Sequence, residues 1–92
     1  MKIRFEWSEK KNADNIRKHG VSFEEAARVF NDPKRIEIYD KKHSFLEDRW
    51  ITVGINISTV LTVIFTERND VIRIISACKA LKKEIRRYFN GY

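Results

Sequence analysis

Hydrophobic and polar positions alternate at the start of the chain. Ile3, Phe5 and Trp7 are interleaved with Lys2, Arg4 and Glu6, the period-two pattern of a short strand. Ser8 then offers an N-cap, Glu9 a first-turn acid and Gly20 a terminator, which predicts a helix over residues 9–19. Only Ala13 and Ile16 are apolar along it, so this helix is expected on the surface. Ser22-Phe23-Glu24-Glu25 is a capping box, with Val21 and Ala26 placed for a hydrophobic staple. Phe23, Ala26, Ala27 and Phe30 supply the buried side of this second helix, and Asn31-Asp32-Pro33 ends it. Four strands follow, over residues 35–40, 48–57, 60–68 and 71–77, with turns expected at Ser58-Thr59 and Asn69-Asp70. Leu81, Ile85, Tyr88 and Phe89 form one apolar stripe of a last helix. The order β-α-α-β-β-β-β-α predicts an α+β fold, an antiparallel sheet with helices packed on it.

Strand register decides where the polar side chains go. A two-residue turn at Asn69-Asp70 pairs Arg68 with Val71 and Thr66 with Arg73. Arg68 and Arg73 are then diagonal neighbours on one face, about 7–8 Å apart. For the preceding hairpin, matching apolar to apolar pairs Ile51 with Phe65, Val53 with Val63 and Ile55 with Leu61. That register gathers Trp50, Thr52, Gly54, Asn56, Thr62, Thr66, Arg68 and Arg73 on one face. A slip of one residue would exchange the faces.

Composition narrows the class. The 92 residues, 42% of them hydrophobic, are enough for one modest core, and residues 1–92 read as a single domain. No apolar run approaches a membrane span and no signal-peptide h-region is visible, which points to a soluble, cytoplasmic protein. One cysteine, Cys78, excludes an internal disulfide and a cysteine-based zinc site. The net charge of +6 is carried by the two ends: residues 1–20 hold six Lys/Arg against three acids, and residues 79–92 five against one. Such ends attract polyanions or an acidic partner.

Chemistry-bearing side chains are few. Two arginines on one sheet face, beside threonines, suit a phosphodiester, because guanidinium is a permanently charged bidentate donor. Asp40, Glu47 and Asp48 lack the spacing of a metal site, and no cofactor motif is present. His19 closes a helix beside Lys18 and is either a capping residue or an acid/base. His43 lies in a polar loop and reads as solvated. Lys79 beside Cys78 would lower a thiol pKa, although a small buried side chain is the plainer reading.

These residues resemble a family. Phe5-Glu6-Trp7, Asn15, the run from Lys18 to Ala26 and Val29-Phe30-Asn31-Asp32 are similar to the opening signature of BrnT toxins. Glu47-Asp48-Arg49, Gly54, Phe65-Thr66-Glu67-Arg68, Arg73-Ile74-Ile75-Ser76-Ala77, Ala80, Glu84 and Tyr88 continue the pattern. The resemblance implies a RelE-like fold, RNA cleavage that halts translation, and neutralisation by a ribbon-helix-helix, BrnA-like antitoxin. It further implies that operator DNA is bound only through the toxin–antitoxin complex. One position departs: after Ser76-Ala77 the family usually carries an arginine, and here stands Cys78.

The reaction so implied needs no metal or other cofactor. Arg68 and Arg73 would stabilise the transition-state charge, with His19 or Glu47 as acid or base. Lys18, Arg49 and Lys79 would hold the RNA backbone, and Trp50 would stack on a base. The alternatives are a non-catalytic basic module for nucleic acid or an acidic protein, and a toxin homologue attenuated at Cys78.

Overall fold

The computed structural model describes residues 3–91, so Lys2 of the opening alternation lies outside the described residues. Strands and helices follow the expected order: β1 (Arg4–Glu6), α1 (Glu9–His19), α2 (Phe23–Arg28), β2 (Ile36–Tyr39), β3 (Trp50–Asn56), β4 (Thr59–Arg68), β5 (Val71–Lys79) and α3 (Lys82–Asn90). A 3₁₀ turn at Val29–Asn31 extends α2, and another covers Lys41–His43. The fold is α+β. The sheet order is β1-β5-β4-β3-β2, antiparallel except that β1 joins β5 in parallel. No helix among the described residues is long and apolar enough to cross a membrane.

The main core lies between one sheet face and the α1–α2 layer. Val21, Phe23, Ala26, Val29 and Phe30 meet Leu61, Val63, Phe65, Ile72, Ile74 and Ala77 there. Phe30 anchors it, edge-to-face on Phe5 and Phe65 with centroids 5.3 and 4.9 Å away. The Ser22 capping box forms as expected, Ser22 Oγ accepting from Glu25 N and Glu25 Oε1 from Ser22 N, each at 3.0 Å. Those bonds hold the Glu25 carboxyl below its ordinary value.

Helix α1 lies on the surface as expected, and it docks through polar side chains. Ala13 and Ile16 face solvent, and the buried residues are Asn12 and Asn15. Asn12 Oδ1 accepts from Phe23 N at 2.8 Å. Asn15 Nδ2 donates to Val21 O at 2.8 Å and to Ala77 O at 2.7 Å, while its Oδ1 accepts from Ala77 N at 3.2 Å. Beyond the end of β1 the outer edge of β5 has no strand beside it among the described residues, and the Asn15 amide supplies the hydrogen bonds that a strand would. In α3, likewise, Leu81 and Phe89 of the expected stripe are exposed, and Ile85 and Tyr88 are half-buried.

The register of β3 on β4 is one residue from the expected one: Trp50 pairs with Phe65, Thr52 with Val63 and Gly54 with Leu61. Trp50, Thr52, Gly54 and Asn56 therefore lie on the helix-covered face, opposite the arginines. Two physical reasons defeat the apolar-matching argument. Both faces of these strands are covered, so hydrophobicity does not distinguish them. In addition, a Cβ on Gly54 would lie 2.9 Å from Val29 Cγ1 and from Arg35 Cβ, so glycine must face the α2 side. The turn accordingly falls on Ile57-Ser58 rather than Ser58-Thr59, with Ile57 at φ 61°. Tertiary packing has overridden local turn preference.

Candidate phosphate-facing site

The expected β4–β5 hairpin is present. Asn69 and Asp70 take φ of 53° and 65°, the left-handed pair that a two-residue hairpin turn needs, and Thr66 pairs with Arg73 and Arg68 with Val71. Arg68 and Arg73 thus project from the same sheet face. The parallel pairing of Glu6 with Arg73 brings the Glu6 carboxylate alongside, and Arg73 Nη1 donates to Glu6 Oε2 at 2.6 Å. The long β2–β3 connection carries Glu47 over the other guanidinium, with Arg68 Nη2 3.5 Å from Glu47 Oε2. Together with Thr66, Asn69 and Val71 these four side chains line a cleft of about 390 Å³.

Both ion pairs are solvent-accessible; the Arg73 side chain is 44% exposed and that of Arg68 78%. Pairs of this kind contribute only about 0–1 kcal/mol, so they aim the guanidinium groups without locking them. Each guanidinium has five N–H donors and spends one on a side-chain partner among the described residues. Arranged in this way, the cleft can receive a phosphodiester by exchange of carboxylate for phosphate.

A β-bulge extends the polar face along β5. Ile64 pairs with Ser76 and Phe65 with Ile74, leaving Ile75 as the extra residue. That insertion switches side-chain parity, so Ser76 and Cys78 join Arg73 on one face while Ala77 stays in the core. Cys78 pairs with Thr62, whose Oγ1 donates to Glu84 Oε1 of α3 at 3.0 Å. Burial and the nearby Glu84 charge push the Cys78 thiol above its ordinary value. This agrees with the plainer reading of Cys78 as a small, partly buried side chain rather than a thiol activated by Lys79. Lys79 lies on the opposite side of the strand, exposed at its end.

The remaining expected site residues are scattered. His19 is exposed at the end of α1 and, with Lys18, lines a different cleft of about 260 Å³ against Ile75 and Ser76. Arg49 lines a hollow of about 250 Å³ with His43, Phe45, Leu46 and Glu47, so Glu47 belongs to both this hollow and the arginine cleft. Trp50 is turned away from the arginines, packed on the core and edge-to-face on Tyr39 at 5.1 Å. Sequence reasoning missed Glu6, because the parallel β1–β5 pairing that aligns it with Arg73 leaves no local mark. It also missed Asp40 behind His43, whose i,i+3 spacing was the available signal.

A basic α+β domain with a two-arginine, anion-ready cleft is the class that this geometry defines. A model of the family described as "Ribonuclease toxin, BrnT, of type II toxin-antitoxin system" matches residues 7–84. The chain belongs to the BrnT family of ribonuclease toxins, and membership implies an antitoxin partner. No curated protein sequence matches it.

Proposed function

We propose that this toxin is a metal-independent endoribonuclease that cuts RNA and so inhibits translation, held inactive by a ribbon-helix-helix antitoxin. The observation that carries the reading is the common face of Arg68 and Arg73. In this mechanism the RNA 2′-oxygen attacks the adjacent phosphorus and a cyclic phosphate forms as the 5′-oxygen departs. Arg68 and Arg73 exchange Glu47 and Glu6 for the phosphate oxygens, and their charge balances the negative charge that grows in the transition state. Glu47, lining the same cleft, takes the 2′-hydroxyl proton. Arg49, and Lys18 with His19 beside Ser76, attract the flanking backbone, whereas Lys79 faces the other side of β5 and takes no part. Trp50 has no role in this account, since it lies on the covered face.

The test is incubation of purified protein with single-stranded RNA in EDTA, followed by analysis of the new ends. Wild type is expected to release 2′,3′-cyclic phosphate ends, and Arg68→Ala and Arg73→Ala each to slow cleavage by about 100-fold or more. Undiminished cutting by both variants refutes the assignment. Salt-sensitive binding without cleavage identifies the protein instead as a non-catalytic binding module.

A further inference from the structure

His43, read from the sequence as a solvated loop residue, is exposed, its side chain 59% accessible, and one edge of its ring is also held by Asp40. Asp40, at the end of β2, is only 8% exposed, and its Oδ2 and Oδ1 lie 3.0 and 3.2 Å from His43 Nδ1. A carboxylate can only accept, so Nδ1 carries a hydrogen and donates to Asp40. The loop beneath is stitched at its neck. Asp40 N donates to Arg49 O at 2.9 Å, His43 N to Asp40 O at 3.3 Å, and Arg49 N to Ser44 Oγ at 2.9 Å, while Ser44 Oγ donates to Asp40 O. Among the described residues Nε2 makes no hydrogen bond. The ring borders the hollow with Phe45, Leu46, Glu47 and Arg49, and that hollow meets the arginine cleft at Glu47. A buried carboxylate oriented on one ring nitrogen, with the other nitrogen free beside the arginine cleft, is the arrangement of a proton-transfer histidine.

We propose that His43 is the general acid of this site and Asp40 its positioning residue; this rests on the RNA-cleavage reading above. The phosphate held by Arg68 and Arg73 lies where the two hollows meet at Glu47, with His43 across from it. As O2′ bonds to phosphorus, its proton passes to Glu47. The P–O5′ bond breaks with its electron pair on O5′, and the imidazolium form of His43, with a hydrogen on each ring nitrogen, delivers its Nε2 proton to make the 5′-hydroxyl. His43 ends neutral, with Nδ1–H still on Asp40, and Glu47 ends protonated, so charge and protons balance. His19, in the cleft beside Ile75, is not needed for either transfer.

A leaving group that needs no proton separates this role from a structural one. The probes are two RNA strands, one with ordinary linkages and one with a single 5′-bridging phosphorothiolate at the cut position. His43→Gln is expected to slow the ordinary linkage by about 100-fold or more and the sulfur-leaving linkage by only a few-fold. Asp40→Asn is expected to follow the same pattern more weakly. Equal slowing of both linkages by His43→Gln, or slowing of neither, overturns the assignment while leaving the ribonuclease reading intact. Wild-type protein that cuts neither strand overturns both.

Discussion

Asn15 and Ala77 are 62 positions apart in the chain and joined by a peptide-like pair of hydrogen bonds, side-chain amide to backbone amide. Helix α1 is thereby fixed to the edge of the strand that carries Arg73, Ser76 and Cys78. The same amide caps Val21 O, where the chain enters α2.

Asn15→Ala removes one side chain and leaves the N–H and C=O of Ala77 and the C=O of Val21 without partners in a buried setting. The expected cost is about 2–4 kcal/mol, against the few tenths typical of a surface helix position. Urea unfolding measures it. A loss below about 0.5 kcal/mol would mean that water replaces the amide, and the bracket would lose its significance.

Cys78 stands where the family resemblance leads one to expect arginine, on the sheet face of Arg68 and Arg73 and beside Glu84. Cys78→Arg is expected to add a third cation to that face and raise the cleavage rate by at least several-fold, in keeping with the scale of a placed charge. The native thiol, raised by burial and by Glu84, is expected to react with a thiol reagent more slowly than free cysteine at pH 8. Fast labelling and an unchanged rate in Cys78→Arg would together place this residue outside the site's chemistry.

Tyr88 fastens α3 to the rest of the protein by donating a short hydrogen bond from Oη to Asp32, whose Oδ2 also accepts from Ile55 N at 2.9 Å. Burial, the bond to Asp32 and the Asp32 charge push the Tyr88 phenol up to about 12. For Asp32, burial alone would raise the pKa. The bonds from Tyr88, Ile55 and Lys34, with the Lys34 charge, outweigh it and hold the carboxyl below its usual value. A phenol raised on folding stabilises below pH ~10, its unfolded value, and that stability is lost as pH climbs toward 12. The lowered carboxyl contributes above its unfolded value of ~3.9 and is lost as pH falls further. Tyr88→Phe is expected to cost about 1–2 kcal/mol at neutral pH and to flatten the alkaline loss. Thermal melts from pH 3 to 11 provide the check, and parallel curves for the two proteins would exclude the clasp.

Local chemistry left clear traces of several features. The Asn69-Asp70 turn has a short-range geometry that sets the pairing of Arg68 and Arg73, so the central feature of the cleft was readable from a few adjacent residues. The same holds for the Ser22–Glu25 capping box. The β3 register was not readable in this way, because Ile51, Val53 and Ile55 are as apolar as their neighbours across the strand and both faces are covered. Gly54 held the decisive information, but its meaning depends on Val29 and Arg35 lying above it. How α1 docks was not readable for a related reason. Its sparse apolar residues placed it on the surface, where it lies, but gave no sign that Asn12 and Asn15 face inward because backbone groups there lack other partners.

What the amino-acid order by itself determined is the succession of elements, the α+β class and the joint exposure of two arginines across one tight turn. These follow from dihedral preferences and side-chain periodicity, which act over a few residues. Only the assembled fold decided which carboxylates meet those arginines, that Trp50 turns inward, and that Asp40 backs His43 next to Glu47. Those outcomes depend on a parallel edge strand, on Gly54 packed against Val29 and Arg35, and on a loop closed on itself. The first two are set by packing between segments far apart in the chain; the Asp40–His43 spacing is local, and only the closed loop shows that Asp40 is buried and that the ring lies next to Glu47.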